Sequence, residues 1–504
     1  MKPAISSSAD GLSELIPEFE YQPGVERRRG AGIYFFASIV SQVSVLLRFV
    51  ILARLLGPEQ VGLAALLTIT GSFFDLISDT GSDRFLVQDR HGDEPEVQKL
   101  VQLVYAGRGV LIAMALVVIA VPAAKLYGAP KLEGGLVWLA LSPLILGFMH
   151  LDVRRTQRDH DFRPQAICMI ASDCAGLIAA SAAAWLVRDF SAILYGLIAR
   201  AIVMTGVSHV VAKRRYGWAW DADHGPRLTR FAAPLLLNGV IIFLTAQGDR
   251  VFVGKMFGAT ALGLYSSTIL LIYYPAVLLA NYIHAIYIPI VAAQRDNVAG
   301  RTAVSDLLGG QTLLLSVAMA IGFAVVGPIL APFLFGARFA QDPLLVGLIG
   351  MLQAFRFLLS WPTTVALSLG RSVTVLVSNL AHMFAFVGGG IGLIVIGGLV
   401  GVVAGFVVGE AIATGVAIAK LNVDMALKPT RGFDKLAAMI ALMAIVVAGD
   451  WAWKLKQWPA AAMVGAAGTM LVAWLIYREA AALRDAIQVA RRAVTRRGPR
   501  CTRP

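Results

Sequence analysis

Charged residues are scarce in this chain of 504 residues: 15% are Asp, Glu, Lys or Arg, whereas 58% are hydrophobic. A soluble domain needs more charged side chains to cover its surface, so the composition excludes a soluble protein. Sustained alternation of polar and apolar residues is also missing, which argues against a membrane β-barrel. The chain instead contains one apolar run after another, each near the roughly 20 residues that a transmembrane helix requires.

Motifs for disulfides, nucleotides and metals are missing too. Three cysteines cannot form a disulfide framework, and no Walker A motif occurs, so we expect no ATP hydrolysis within this chain. The histidines in or next to apolar segments show no ligand spacing, so we predict no metal and no cofactor. They are His150, His209, His284 and His382. Since no outward loop is large enough for a catalytic domain, we predict that the chain is not an enzyme.

Fourteen apolar segments are predicted to span the membrane, which makes the fold class all-α and polytopic. The first segment follows an acidic stretch too long for a secretory signal, and we interpret it as an uncleaved anchor. The predicted spans are 32–53, 61–82, 99–121, 134–153, 165–187, 190–212, 231–254, 261–285, 304–327, 342–362, 372–396, 398–419, 436–452 and 457–477.

Lysine and arginine orient these segments, because cytoplasmic loops carry the excess of positive charge. With the N-terminus inside, 31 of the 44 basic residues fall in inward segments and only 8 in outward loops. We therefore predict a multi-pass protein of the bacterial inner membrane with both termini cytoplasmic. The net charge of +13 follows from this topology and from the anionic inner leaflet, so we expect no nucleic-acid partner.

A short motif occurs twice and divides the chain. Residues 54–57 and 62–63 read Arg-Leu-Leu-Gly and Gly-Leu, and 255–258 and 263–264 read Lys-Met-Phe-Gly and Gly-Leu with the same spacing. Six spans separate the copies, so we predict two six-helix lobes in parallel pseudo-repeat around a central cavity, plus a C-terminal helix pair. The predicted parts are a cytoplasmic segment 1–31, an N-lobe 32–212, a cytoplasmic hinge 213–230, a C-lobe 231–419, a helix pair 436–477 and a basic amphipathic cytoplasmic tail 478–504.

Five arginines fall inside the predicted spans: Arg48, Arg108, Arg200, Arg250 and Arg356. A charge at the bilayer centre costs roughly 3 kcal/mol on insertion scales, so it normally faces a hydrated cavity or a partner. Arg48 and Arg250 lie near the outer helix ends, where snorkelling to the headgroups is the alternative. Because guanidinium groups suit phosphate oxygens, we predict that the five line a cavity for an anionic headgroup.

Carboxylates inside the predicted spans are equally few. Either they pair structurally with the arginines, or they carry a coupling proton or sodium ion. The sequence leaves both roles open. The five acids are Asp75, Asp79, Asp173, Asp249 and Glu410.

The first hairpin carries a family resemblance. Residues 48–63, Arg-Phe-Val-Ile-Leu-Ala-Arg-Leu-Leu-Gly-Pro-Glu-Gln-Val-Gly-Leu, followed by Ser78-Asp79-Thr80-Gly81 and 86–88, Leu-Val-Gln, resemble the start of polysaccharide-transporter (Wzx-type) flippases. These belong to the multidrug/oligosaccharidyl-lipid/polysaccharide (MOP) exporter superfamily. The resemblance implies alternating access around a central cavity and an undecaprenyl-pyrophosphate-linked oligosaccharide as substrate, for exopolysaccharide, capsule or O-antigen assembly. It carries over no catalytic residue.

The expected partners are therefore the lipid-linked oligosaccharide, the phospholipid bilayer and, downstream, a polysaccharide polymerase with chain-length and export machinery. Two other functions stay open. A cation-coupled multidrug exporter of the same superfamily would share the fold but calls for a cavity dominated by acids. A membrane glycan polymerase or ligase would belong to the same pathway but calls for a large external loop.

Overall fold

The computed structural model describes residues 25–495, and every regular element in that range is helical. Two short 3₁₀ helices, Thr156–Asp159 and Ala337–Phe339, accompany the α-helices. The α-helices are α1 Val25–Leu56, α2 Pro58–Ile77, α3 Ser82–Gln88, α4 Pro95–Leu126, α5 Leu132–Leu139, α6 Leu141–Gly147, α7 Asp152–Arg155, α8 Arg163–Leu186, α9 Ala192–Val211, α10 Gly225–Ala293, α11 Val298–Phe335, α12 Pro343–Leu358, α13 Ser360–Ser368, α14 Ser372–Ala381, α15 Met383–Val395, α16 Gly398–Asp424, α17 Phe433–Lys454 and α18 Trp458–Thr495.

Twelve stretches among the described residues are long and apolar enough to cross a membrane, or thirteen if the bent pair Leu132–Gly147 and Asp152–Asp159 forms one span. The chain is therefore a multi-pass membrane protein, but this count does not confirm the predicted fourteen. One of the twelve is α10, which contains both the seventh and the eighth predicted segments. Its backbone leaves the helical conformation at Gly258, so this stretch is two helices joined at a kink. The fourth predicted segment, 134–153, is the bent one because its helix breaks after Gly147.

The described residues form two compact units. The first unit comprises 25–270 and Leu330–Ala340, and the second comprises Leu271–Ile329 and 341–495. The predicted lobes 32–212 and 231–419, the hinge 213–230 and the helix pair 436–477 stay predictions. Most of the predicted segment 1–31 lies outside the described residues, as do residues 496–504 of the predicted tail; α1 begins at Val25, and α18 continues to Thr495.

Small residues bring helices together within the first unit. The alanine-rich helix α8 packs against α1 and α9. At that contact Leu52 of α1 and Ala180 and Ala184 of α8 are buried, together with Ala192 of α9. Short side chains let membrane helices approach closely, and dispersion then stabilises the contact. The alanine-rich predicted span 165–187 is thus a well-packed helix.

The repeated motif has a structural counterpart in the first unit. Gly57 and Gly258 share one backbone conformation, with φ of 83° and 79° and ψ of 173° and −177°, which L-residues other than glycine rarely adopt. The two copies also touch each other reciprocally. A Cβ added to Gly62 would lie 1.8 Å from the carbonyl oxygen of Ala259, and one added to Gly263 would lie 1.9 Å from that of Pro58. Both positions therefore require glycine.

Glycines also join α15 to α16 in the second unit. A Cβ on Gly392 would meet the Gly401 carbonyl oxygen at 2.0 Å, and a Cβ on Gly388 would meet that of Gly405 at 2.2 Å. The two backbones thus pack directly on each other, as small-residue faces allow in membranes. This contact places Glu410 of α16 in the interior, where its side chain is 1% exposed.

Candidate functional site

Glu410 in the second unit contacts Arg356 on α12 and His382 between α14 and α15. The Nε of Arg356 on α12 donates to Glu410 Oε1 over 2.8 Å, and Nδ1 of His382 lies 2.6 Å from Glu410 Oε2. Because the acid is almost fully buried, these contacts supply the compensation that a charge in a low-dielectric interior requires. Arg356 is therefore balanced by an acid of its own unit, which favours structural pairing over substrate binding.

Arg200 of the first unit is paired in the same way. Its Nε donates to Asp173 Oδ1 over 2.6 Å, and the Ser41 hydroxyl donates to Asp173 Oδ2 over 2.5 Å. The Asp173 side chain is 2% exposed. The contact joins three helices, α1, α8 and α9, through one carboxylate.

Arg108 of α4 reaches the end of α2. Its Nη2 donates to the backbone oxygen of Asp75 over 2.7 Å and lies 3.4 Å from Asp75 Oδ1, and its Nε donates to the backbone oxygen of Ser78 over 3.0 Å. These bonds satisfy carbonyls that a helix leaves open at its C-terminus. The weaker contact is the one with the carboxylate, whose side chain is 60% exposed.

Two further acids accept hydrogen bonds. Asp249 of α10 is buried and accepts from the Tyr265 hydroxyl over 3.0 Å and from the backbone N–H of Arg250 over 2.8 Å. Asp79 accepts from Nη2 of Arg84 and from the backbone N–H of Gly81. The predicted span 61–82 was wrong at this end, because α2 ends at Ile77 and Asp79 lies in the turn that follows.

Arg48 and Arg250 line a cavity of about 210 Å³ within the first unit. Arg250 Nη1 donates to Gln247 Oε1 over 3.1 Å, whereas its buried Nε has no acceptor among the described residues. The Arg48 guanidinium packs beside Gly176, where a Cβ would come within 3.3 Å of its Nη1. The remaining lining residues are Val45, Phe49, Leu52, Val61, Ala64, Ala65, Thr68, Ile193, Ser266 and Leu270.

No carboxylate occurs among these lining residues, so the cavity combines two guanidinium groups with two hydroxyl groups, those of Thr68 and Ser266. A buried donor without an acceptor is costly, and a bound anion would satisfy it. The arrangement can therefore hold a phosphate or carboxylate group. The assignment of the five arginines to substrate stays a prediction; of the five, Arg48 and Arg250 lie together at this cavity.

A second, larger cavity of about 380 Å³ in the same unit is almost entirely apolar. It shares α2 and the middle of α10 with the arginine cavity. Sequence reasoning missed it, because apolar residues are everywhere in this chain and nothing in their spacing marks those that face a void. The lining residues are Ile69, Thr70, Phe73, Phe74, Ile119, Pro122, Ala123, Leu126, Tyr127, Phe243 and Val251.

Known proteins resemble this chain in sequence. The family described as "Polysaccharide biosynthesis protein" matches residues 51–342. The succinoglycan biosynthesis transport protein ExoT of Rhizobium meliloti (strain 1021) is 25% identical over 327 residues, which cover 64% of this chain and 62% of that protein's length. The resemblance to polysaccharide transporters predicted from the first hairpin is thereby confirmed.

Solved structures resemble it in fold. The lipid II flippase MurJ, in an inward closed conformation, aligns with a TM-score of 0.65 and 15% identity over 88% of this chain and 99% of its own. An inward-facing multidrug resistance MATE family transporter of the MOP superfamily aligns with a TM-score of 0.63 and 12% identity, over 83% and 98%. The fold is therefore that of the MOP transporters.

Proposed function

The chain belongs to the polysaccharide biosynthesis protein family, and on that premise we propose that it is a flippase for lipid-linked oligosaccharides. Its substrate would be an undecaprenyl-pyrophosphate-linked repeat unit, moved by alternating access for exopolysaccharide, capsule or O-antigen assembly. The observation that carries this proposal is the cavity lined by Arg48 and Arg250, with a buried guanidinium nitrogen that lacks an acceptor among the described residues. Two guanidinium groups match the charge and the oxygen geometry of a pyrophosphate.

The apolar cavity supports an amphiphilic substrate. An undecaprenyl chain has to stay in an apolar environment while its headgroup crosses, since each CH₂ group moved into water costs about 0.8 kcal/mol. The cavity between residues such as Phe73 and Phe243 offers apolar surface in the same unit as the arginines. A headgroup at the arginines with its first prenyl units against these aromatic rings is the arrangement we propose.

The proposal includes the membrane and the machinery around the protein. We place the chain in the bacterial inner membrane with both termini in the cytoplasm, as the distribution of lysine and arginine predicts. Its product would pass to a polysaccharide polymerase and to chain-length and export proteins. Because the proposed step moves a substrate without changing its bonds, we assign no catalytic role to any residue.

The two other functions have less support. A multidrug exporter for cationic compounds would need acidic groups where they bind, whereas no carboxylate lines the arginine cavity. A polymerase or ligase would make polymer from lipid-linked units in a purified preparation. Neither dye resistance in cells nor polymer formation by the purified protein is expected.

A deletion strain tests the proposal. We expect loss of surface polysaccharide and accumulation of lipid-linked repeat units on the inner leaflet, both restored by the wild-type chain. The Arg48→Ala, Arg250→Ala double variant should restore neither. The matched control is Arg371→Gln, which removes one positive charge at an exposed position between helices and should restore both.

Expression decides how these results are interpreted. The double variant has to be present in the membrane at the wild-type level before its phenotype counts. Normal surface polysaccharide from that variant would contradict the role of the cavity. Normal polysaccharide from the deletion strain itself would contradict the proposed function.

A further inference from the structure

Two histidines and a glutamate meet outside the membrane helices of the first unit. His91 and Glu94 belong to the turn between α3 and α4, and His224 belongs to the linker between α9 and α10. Nδ1 of His91 lies 2.6 Å from Glu94 Oε1, and Nε2 of His224 lies 3.6 Å from Glu94 Oε2. One ligand atom from each of the three residues lies within 4.8 Å of the other two.

We propose that His91, Glu94 and His224 bind a divalent transition metal of the zinc class, and that this metal fastens the linker between α9 and α10, residues 212–224, to the turn before α4. Imidazole nitrogens and carboxylate oxygens are the donors that zinc accepts, at about 2.0–2.1 Å. Tetrahedral bonds of that length separate neighbouring ligand atoms by roughly 3.4 Å. The separations in the cluster span that value, so small side-chain rotations complete the coordination, with water as the fourth ligand.

Asp221 orients one of the ligands. Its Oδ1 lies 3.0 Å from Nδ1 of His224 and also accepts the backbone N–H groups of His224 and Asp223, each over 2.9 Å. A proton on Nδ1 leaves the lone pair of Nε2 directed at Glu94. Carboxylates hold metal-binding histidines in this way, and they fix both the tautomer and the ring orientation.

Ion pairs hold the two segments together around the cluster. Arg214 Nη2 lies 2.9 Å from Asp93 Oδ1, and Arg227 Nη2 lies 2.5 Å from Asp89 Oδ2. The linker is thus fixed to the turn on both sides of His224, so little ordering remains to oppose metal binding.

Sequence reasoning predicted no metal, because it considered only histidines in or near the apolar segments. His91 and His224 are far apart in the chain and become neighbours only when the linker folds back onto the turn. The one local signal was the pair His91 and Glu94, three residues apart. That spacing is common in turns without metals.

Metal titration tests the proposal on the full-length protein, purified in detergent without a histidine tag and stripped with chelator. Cobalt(II) should give visible absorption bands typical of a low-coordination site, saturating near one equivalent, and zinc should displace it. The His91→Ala, His224→Ala double variant should bind at least tenfold more weakly. Asp221→Asn should keep the stoichiometry and lose about tenfold in affinity, as changes in such supporting carboxylates do.

The control is His160→Asn, which removes an exposed histidine from a nearby turn while asparagine tolerates the positive φ of 58° there. It should bind as the wild type does. If the double variant does not purify, Glu94→Gln replaces it. The proposal would be overturned if the wild-type protein bound less than one equivalent of metal. It would also be overturned if the variant that purifies bound metal with the wild-type affinity.

Proteolysis gives a readout that concerns the linker itself. Lys213 and Arg215 are exposed trypsin sites within it. Bound zinc should slow cleavage there severalfold in the wild type and have no effect in the variants that do not bind metal. Equal cleavage rates with and without zinc in the wild type would contradict the fastening role. None of these measurements depends on transport, so their outcome is separate from that of the proposed flippase function.

Discussion

Arg356 of the second unit and the pair Arg48 and Arg250 of the first unit have different surroundings. In the second unit, Arg356 donates to Glu410, and His382 contacts the other oxygen of the same carboxylate. In the first unit, Arg48 and Arg250 line a cavity that contains no acidic lining residue. All three arginines lie in apolar helices. Position within the membrane therefore does not distinguish a structural arginine from a binding one; the groups around its guanidinium do.

Removal of Glu410 should produce the largest effect on stability. Glu410→Ala deletes the carboxylate that accepts a hydrogen bond from Arg356 and contacts His382. Loss of one partner from a buried ion pair costs about 3–5 kcal/mol of stability. We expect a much lower midpoint of thermal unfolding for the purified protein. The matched control is the double variant Arg356→Leu, Glu410→Leu, which should regain most of the loss. If Glu410→Ala were as stable as the wild type, the contact between Arg356 and Glu410 would not stabilise the fold.

Removal of Arg250 should affect transport instead. Hydrogen bonds to charged groups contribute about 1.5–3 kcal/mol, so Arg250→Ala should slow substrate flipping in reconstituted vesicles by about 10- to 100-fold. The midpoint of unfolding should stay close to the wild-type value, because no carboxylate is among the residues that line the cavity. The transport rate of Arg250→Lys should lie between those of the wild type and Arg250→Ala, since lysine keeps the charge but loses the two-pronged guanidinium hydrogen bonding. A large loss of stability without a transport defect would show that Arg250 stabilises the fold and does not bind substrate.

Ser41 tests the paired arginine of the first unit. Ser41→Ala removes one hydrogen bond to Asp173 and leaves the bond from Arg200 in place. We expect a loss of about 1 kcal/mol in the free energy of unfolding and an unchanged transport rate per folded molecule. A transport defect without a change in stability would show that Ser41, Asp173 and Arg200 take part in substrate binding.

Asp75 should give the smallest effect. Its side chain is 60% exposed and lies 3.4 Å from Arg108, and exposed ion pairs contribute less than about 1 kcal/mol. Asp75→Asn should therefore change neither stability nor transport measurably. A transport rate that falls, together with a lost dependence on a proton or sodium gradient, would show that this acid couples transport to an ion.

The helices were largely predictable, since the apolar runs that cross a membrane are long. Each predicted segment overlaps a helix of the structure, and the repeat of Gly57 and Gly258 appears as a shared backbone conformation. The count was less predictable. Hydropathy registers length and polarity, but it does not register how the chain passes the kink at Gly258 in α10 or the bend after Gly147.

The pairing of charges was not predictable residue by residue. The sequence identifies Arg356 and Glu410 as charged residues inside apolar segments. Which face meets which depends on packing between helices that are distant in sequence, such as α12 with α16 for Arg356 and Glu410. The sequence therefore predicted the five arginines as one group. In the structure, Arg108, Arg200 and Arg356 contact acids. Arg48 and Arg250 lie at one cavity.

Binding of undecaprenyl pyrophosphate, the carrier lipid without its oligosaccharide, tests the role of the arginine cavity most directly. Purified wild-type protein and the Arg48→Ala, Arg250→Ala double variant would be titrated with undecaprenyl pyrophosphate, with binding measured by native mass spectrometry and undecaprenol as the uncharged control ligand. We expect the double variant to bind the pyrophosphate at least tenfold more weakly, with no difference between the two proteins for undecaprenol. Equal affinity of both proteins for undecaprenyl pyrophosphate would contradict the assignment of this cavity to the anionic headgroup.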